Sequence, residues 1–172
     1  LYEIARTFST SLDLEDTLTI FLTKLRHIIP FELSAIYLYD EETRQAKVCH
    51  STGHYAESLN GHKVSHGDGV TGWVVANRQS MCNANPLLDL ACIDVEVDEF
   101  KTLAAAPMIK GESLVGVISL YSSSLTNYTP DHIRLLETIS SLAADAIANA
   151  RNHAETREFA LTDALPGVAA TP

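Results

Sequence analysis

The chain is short of the residues from which several protein classes are built. It has three cysteines, Cys49, Cys82 and Cys92, in 172 residues. They form no CxxC pair and lack zinc-ligand spacing, and their odd number leaves a thiol over. A disulfide framework is therefore not expected, and a reducing cytoplasm is the simplest setting. Basic residues are also scarce, 12 against 22 acidic ones, and the resulting charge of −10 argues against a nucleic-acid or anionic-membrane surface. No run approaches the roughly 20 apolar residues that span a bilayer. No basic-then-apolar segment opens the chain as a secretion signal would. The chain starts on Leu1 without an initiator Met and ends at Pro172, so we read it as an excised piece of something longer.

What is present suits one domain with a sizeable core and some appended helix, since 46% of the residues are hydrophobic and 20% charged. The organising stretch is Thr102–Tyr121. Two apolar runs, Leu103–Ile109 and Leu114–Tyr121, flank the polar turn Lys110-Gly111-Glu112-Ser113, which predicts a β-hairpin. Neither run alternates cleanly, so both faces of the hairpin are expected to be covered. Pro107 predicts a bulge or an unpaired position, and Gly116 predicts close approach by another element.

Upstream, Leu1–Thr10 reads as a short helix. Ser9, Ser11 and Asp13 punctuate it, and a second helix over about Leu14–Ile29 follows, its apolar stripe running through Leu18, Phe21, Leu22, Leu25, Ile28 and Ile29 to a stop at Pro30. Leu33–Tyr39 and Gln45–Thr52 form another hairpin about the turn Asp40–Arg44. In its first strand Ala35, Tyr37 and Tyr39 share one face, and Ser34, Ile36 and Leu38 share the other. His50/His54 and His62/His66 have a spacing that would chelate a metal on a helix. On strands or loops each pair lies about 13 Å apart, so no metal is expected and the histidines are read as solvated loop residues.

Gly67-Asp-Gly-Val-Thr-Gly-Trp-Val-Val-Ala76 is Gly-rich but lacks the Lys-Ser/Thr of a phosphate-binding P-loop. It predicts a tight turn entering a short helix over about Thr71–Ala76, with Val70, Trp73 and Val74 inward. Met81–Ala84 reads as a strand, and Asp89–Phe100 as a mobile loop or a frayed helix. Thr129-Pro130-Asp131 starts a long helix reaching about Phe159, with a stripe of Ile133, Leu136, Ile139, Leu142, Ala143, Ala146, Ile147 and Ala150. The fold class is therefore α+β. An antiparallel five- to six-stranded sheet should carry the N- and C-terminal helices on one face and short helices and loops over a pocket on the other.

Ser34–Asp40, Gly67–Ala76, Ala106-Pro-Met-Ile109 with Gly111 and Val115–Tyr121, and Tyr128–Glu137 running into Ala144–Arg151 together resemble a GAF domain. The resemblance covers almost all of Leu14–Arg151 and places the domain at 1–151. Residues 152–172 are read as a signalling-helix linker and the truncated start of an output domain. There Phe159-Ala-Leu-Thr-Asp-Ala-Leu-Pro-Gly-Val resembles the entry to a diguanylate cyclase (GGDEF-type) domain, with Pro166 where that pattern has Thr.

The resemblance implies a cytoplasmic bacterial sensor module, itself no enzyme, that binds a small molecule and signals as a homodimer through its terminal helices. The cyclic-nucleotide signature is not matched at Asn77-Arg78, and Cys49-His50 lies too early for a bilin-bearing dipeptide, so no cofactor is assigned. Tyr37, Tyr39, Trp73, Cys92, Phe100, Met108 and Tyr121 are the candidate ligand-binding residues, with Cys92 the candidate reactive thiol. A dimerisation scaffold without a ligand and a Cys-dependent methionine sulfoxide reductase-like enzyme stand as alternatives.

Overall fold

A computed structural model describes residues 2–93 and 97–163, with side chains described over 14–93 and 98–154. The elements follow the order α1 (Tyr2–Arg26), β1 (Leu33–Asp40), β2 (Gln45–Gly53), a 3-10 turn (Ala56–Leu59), β3 (Lys63–Ser65), α2 (Gly69–Asn77), β4 (Met81–Ala84) and α3 (Leu87–Leu90). A second 3-10 turn (Val97–Glu99), β5 (Thr102–Lys110), β6 (Ser113–Ser122) and α4 (Pro130–Asp163) complete them. The strands make one antiparallel sheet in the order β3-β2-β1-β6-β5-β4, an α+β architecture. Among the described residues no helix is long and apolar enough to cross a membrane.

The opening differs from expectation. One continuous helix, α1, replaces the two expected, because Ser and Asp cost a helix interior only about half a kcal/mol each and neither Gly nor Pro interrupts the chain before Pro30. It also ends at Arg26 rather than Ile29. The amides of His27 and Ile28 fold back onto the carbonyls three residues earlier, at 3.2 and 3.0 Å, a tightening that suits the approach to Pro30. At the other end Thr129 caps α4 as expected, its Oγ1 accepting from the His132 amide at 3.2 Å. Asp94 to Glu96, part of the acidic segment, and residues 164–172 of the expected output-domain start lie outside the described residues.

The sheet separates two cores. Ile36, Ala104, Ala106, Met108, Ile118 and Leu120 face α1 and α4, where they meet Leu18, Leu22, Leu25, Leu136, Ala143 and Ile147. Leu33, Ala35, Tyr37, Leu103, Ala105, Val117 and Tyr121 face the short elements, against Leu59, Val70, Val74 and Leu90. Small Ala143 and Ala144 are fully buried in α4 and let α1 approach, whereas Leu142, counted in the sequence stripe, is 47% exposed. A stripe drawn over eight residues drifts off the contact line of a straight helix.

Besides a bulge at Asn83 of β4, between Cys82↔Ala104 and Ala84↔Leu103, two bulges set the register of the central strands. Ile36 pairs with His50 but Tyr37 pairs with Val48, so Cys49 is the extra residue of β2. His50 therefore shares the face of Ile36 and Val48 that of Tyr37, although they are two residues apart. The second bulge leaves Val115 unpaired, between Met108↔Gly116 and Ile109↔Leu114. Pro107 itself stays in register with Val117, past the end of the β4 pairing, where β5 has a strand on one side only. Gly116 answers its expected role, since a Cβ there would stand 1.8 Å from the Tyr37 carbonyl oxygen. Gly116→Ala should therefore push β1 from β6 and cost about 3 kcal/mol of unfolding free energy in a urea titration. An unchanged midpoint would show that β1 gives way freely.

Candidate functional site

The face of the sheet under the short elements holds a buried polar cluster. It begins with α2. The amides of Val70 and Thr71, in the first turn of that helix, have no partner within it and lie at the positive end of its dipole. The carboxylate of Asp89 fills this position. Its Oδ1 accepts from Val70 N at 2.8 Å and Thr71 N at 3.1 Å, and its Oδ2 accepts from Thr71 Oγ1 at 2.6 Å and the Tyr121 hydroxyl at 2.9 Å. A Gly-rich entry to a helix favours an anion. Here the anion is the protein's own.

Each neighbour is placed by local sequence. Asn85 Oδ1 accepts from the Leu87 amide at 3.0 Å and, with Pro86 before it, starts the single turn of α3. Leu90, wholly buried, anchors that turn in the core and so delivers Asp89 beside it. Gly69 makes room, because a Cβ on it would stand 2.6 Å from both Asp89 Oδ1 and the Leu88 carbonyl oxygen, on a backbone with φ +62°.

The hydroxyls beyond the first ring continue the network. Ser119 Oγ lies 2.8 Å from Thr71 Oγ1 and the Tyr37 hydroxyl 3.3 Å from that of Tyr121. Thr71 and Tyr121 each give their one proton to Asp89, so Ser119 and Tyr37 must donate to them, and every hydroxyl proton runs inward to the carboxylate. Burial first, then the charge of Asp89, pushes the Tyr37 phenol far up. Burial, Tyr37 and Asp89 do the same to Tyr121. Around these rings stand His62, edge-on to Tyr37 with centroids 6.4 Å apart, and Phe100, 6.2 Å from Tyr121.

The structure thus brings Tyr37, Tyr121 and Phe100 together, on the face of the sheet under the short elements. Neither tyrosine carries exposed surface, so both border packed side chains rather than open space. Trp73 is half-buried at the margin of the same core, and Tyr39 lines a cavity of about 370 Å³ at the end of the sheet. Cys92 is exposed, directly after α3, with its Sγ 3.7 Å from the Asp89 carbonyl oxygen. Met108 is misplaced by the sequence reading. It alternates with Ala104 and Ala106 toward α1 and α4, on the opposite side of the sheet from Tyr121.

The histidines also divide. His54 and His66 are exposed, as expected, and His54 stands 3.4 Å from Glu99. His50 and His62 are not solvated loop residues. Their Nε2 atoms are buried without a hydrogen-bond partner, and burial lowers the proton affinity of both rings. Among the described residues no three His, Cys, Asp or Glu side chains converge to hold a metal. The Cys49 thiol, on the β2 bulge, is pushed up to about 11 by desolvation of its sulfur, which leaves little thiolate at neutral pH.

Sequence reasoning passed over Asp89, Thr71 and Ser119. The signal available was a lone acid between Leu88 and Leu90, eighteen residues after a Gly-rich helix start that lacks a phosphate-binding lysine.

The GAF domain family model matches residues 11–148, and the chain belongs to that family. Its fold is similar to that of a GAF domain from a Coxiella burnetii phosphoenolpyruvate-protein phosphotransferase. That likeness has a TM-score of 0.71 and 16% identity, and covers 88% of this chain and 96% of that one. The GAF domain of a two-component sensor histidine kinase from Bacillus halodurans is similar at TM-score 0.66 and 19% identity, over 81% and 97% of the two chains. So is a type II free methionine-R-sulfoxide reductase from Thermoplasma acidophilum, at TM-score 0.66 and 14% identity, over 81% and 96%. A comparison with curated proteins found no match.

Two outcomes follow from the cluster. Asp89→Ala strands four buried donors and should cost about 3–5 kcal/mol by chemical denaturation. Asp89→Asn, whose amide donates where the carboxylate accepted once the hydroxyls turn, should cost distinctly less. The raised phenols of Tyr37 and Tyr121 contribute stability that is fully present below about pH 10 and lost as pH rises toward their folded values. Absorbance at the phenolate band should therefore show these two rings ionising only as the protein unfolds in base. A smooth titration of every tyrosine near pH 10 would count against the cluster.

Proposed function

We propose that this GAF domain is a regulatory sensor module that binds a small molecule on the sheet face beneath α2 and α3, and that α4 carries the response onward. The observation supporting this is the Asp89 cluster, through which α3, the start of α2, β1 and β6 share one set of hydrogen bonds. Breaking that set parts the short elements from the sheet and exposes Tyr37, Phe100 and Tyr121. A ligand that replaces the lost bonds then selects the open arrangement. On the reverse side α4 packs on β5 and β6, so a shift of those strands reaches the C-terminal helix directly. Trp73, Tyr39 and Cys92 stand around the margin, where the edge of an opened site would fall.

The proposal includes a homodimer, supported by Ile20 of α1 and Leu142 of α4, which are 51% and 47% exposed on the two terminal helices. It includes an output domain after α4, of the diguanylate cyclase kind that residues 159–168 resemble. The setting remains a bacterial cytoplasm, consistent with three unpaired cysteines.

Native mass spectrometry and thermal unfolding across a metabolite panel test this reading together. A cognate ligand at about a hundred times its Kd should raise Tm by roughly 5–10 °C, with a dimer mass throughout. A clean apo dimer with no shift would favour the scaffold reading. Monomers at high concentration would remove the homodimer, and turnover of free methionine-R-sulfoxide with a thiol reductant would make the domain an enzyme.

A further inference from the structure

The cavity at the end of the sheet, about 370 Å³, lies apart from the Asp89 cluster. Three separate elements bring hydrogen-bond donors to it. Arg44 is the last residue of the β1–β2 turn, Arg78 caps the C-terminus of α2, and His66 follows β3. Tyr39 of β1 adds a hydroxyl. Glu41 is the acid of the lining, so two guanidinia stand against one carboxylate in a chain whose overall balance is 12 basic to 22 acidic. The lining itself therefore carries a net charge of +1, with Asp40 and Glu42 flanking Glu41 in the chain.

These donors are unspent. Among the described residues the Arg44 guanidinium has neither a hydrogen bond nor an ion pair, and the His66 ring has none either. Arg78, which also lines a neighbouring cavity with Pro107, Ile133 and Glu137, gives one N–H to the Glu112 carbonyl oxygen at 2.5 Å and keeps its other donors open. Both arginines also hold left-handed backbone, φ 54° at Arg44 and φ 55° at Arg78. Gly or Asn takes that conformation at lower cost, so the turn and the cap do not themselves call for arginine. Val75, Ala76 and Leu114 make the rest of the wall apolar.

We propose that this cavity is a binding site for a small organic phosphate. The phosphate oxygens would meet Arg44, Arg78 and His66, and the organic body would lie against Val75, Leu114 and the ring of Tyr39. Planar guanidinia arriving from two directions suit a tetrahedral dianion better than a flat carboxylate, which one fork already saturates. The volume matches a small-molecule site. Tyr39 apart, the proposal rests on other residues than the lid-and-sheet site above, and either can fail alone.

Amide chemical-shift titrations of the purified chain with phenyl phosphate, inorganic phosphate and benzoate test it. Phenyl phosphate should give saturable shifts centred on Tyr39, Arg44, His66 and Arg78, and should bind more tightly than either other probe. Arg44→Gly relaxes the left-handed backbone while removing the guanidinium, so it should weaken phenyl phosphate binding about tenfold or more with little change in the unfolding midpoint. Arg78→Gln should weaken it similarly, and Lys63→Gln, a change of an exposed cation outside the cavity, should not. No saturation by about 10 mM phenyl phosphate, equal or tighter binding of benzoate, or full affinity in Arg44→Gly would each overturn the proposal. So would saturable shifts centred on Asp89 and Tyr121 instead.

Discussion

A carboxylate removed from water has to be given donors, and meeting that demand at Asp89 fixes much of this domain's lid. The four bonds it accepts come from the first turn of α2 and from β6, and Tyr37 of β1 is joined at one remove. Without them α3, a single turn, would have only Leu90 to hold it. The start of α2 would keep buried amides with nothing to bind. The same constraint explains Gly69, which stands where any side chain would displace the carboxylate.

The two faces of the sheet carry different kinds of order. Toward α1 and α4 the core is aliphatic, and its tightness comes from small residues: Gly116 beneath β1, and Ala143 and Ala144 between the helices. Toward the lid it is aromatic and polar, with directional bonds and the His62 Nε2 left unpaired. Aliphatic packing depends on shape and volume, whereas a hydroxyl network depends on the direction and acceptor of each bond. That difference sets a directional, polar lid face against a close-packed helix face. Tyr128 joins the two ends of the helical layer, its hydroxyl donating to the Pro30 carbonyl at 2.8 Å just after α1 and its backbone held by Asn83 just before α4.

Much of this was legible beforehand because it rests on local rules. Period-two strands, turn residues, a Thr-Pro-Asp helix start and a Gly that predicts close packing are all properties of a few neighbouring residues. They place β1, β2, β4, β5, β6 and α4 to within a residue or so at most ends. The α+β class follows from their order, and strand parity groups Ala35, Tyr37 and Tyr39 on one face without deciding which side of the sheet that face meets. The misreadings have one origin. Met108 was misassigned because the face of a strand residue depends on the register of its whole strand, and His50 because the Cys49 bulge reverses alternation in a way no local signal marks.

The sequence alone determined which segments are strands and helices and which side of β1 is aromatic, since backbone propensity and side-chain alternation act over a few residues. Only the tertiary structure decided what those segments do to one another. Asp89 reads as one more acid in a polar run until folding sets it on the α2 amides, eighteen and nineteen residues upstream. Arg44 and Arg78 read as a turn residue and a helix end until the sheet brings them to one cavity. Contacts between residues far apart in the chain carry the chemistry, and such contacts depend on packing that no window of sequence contains.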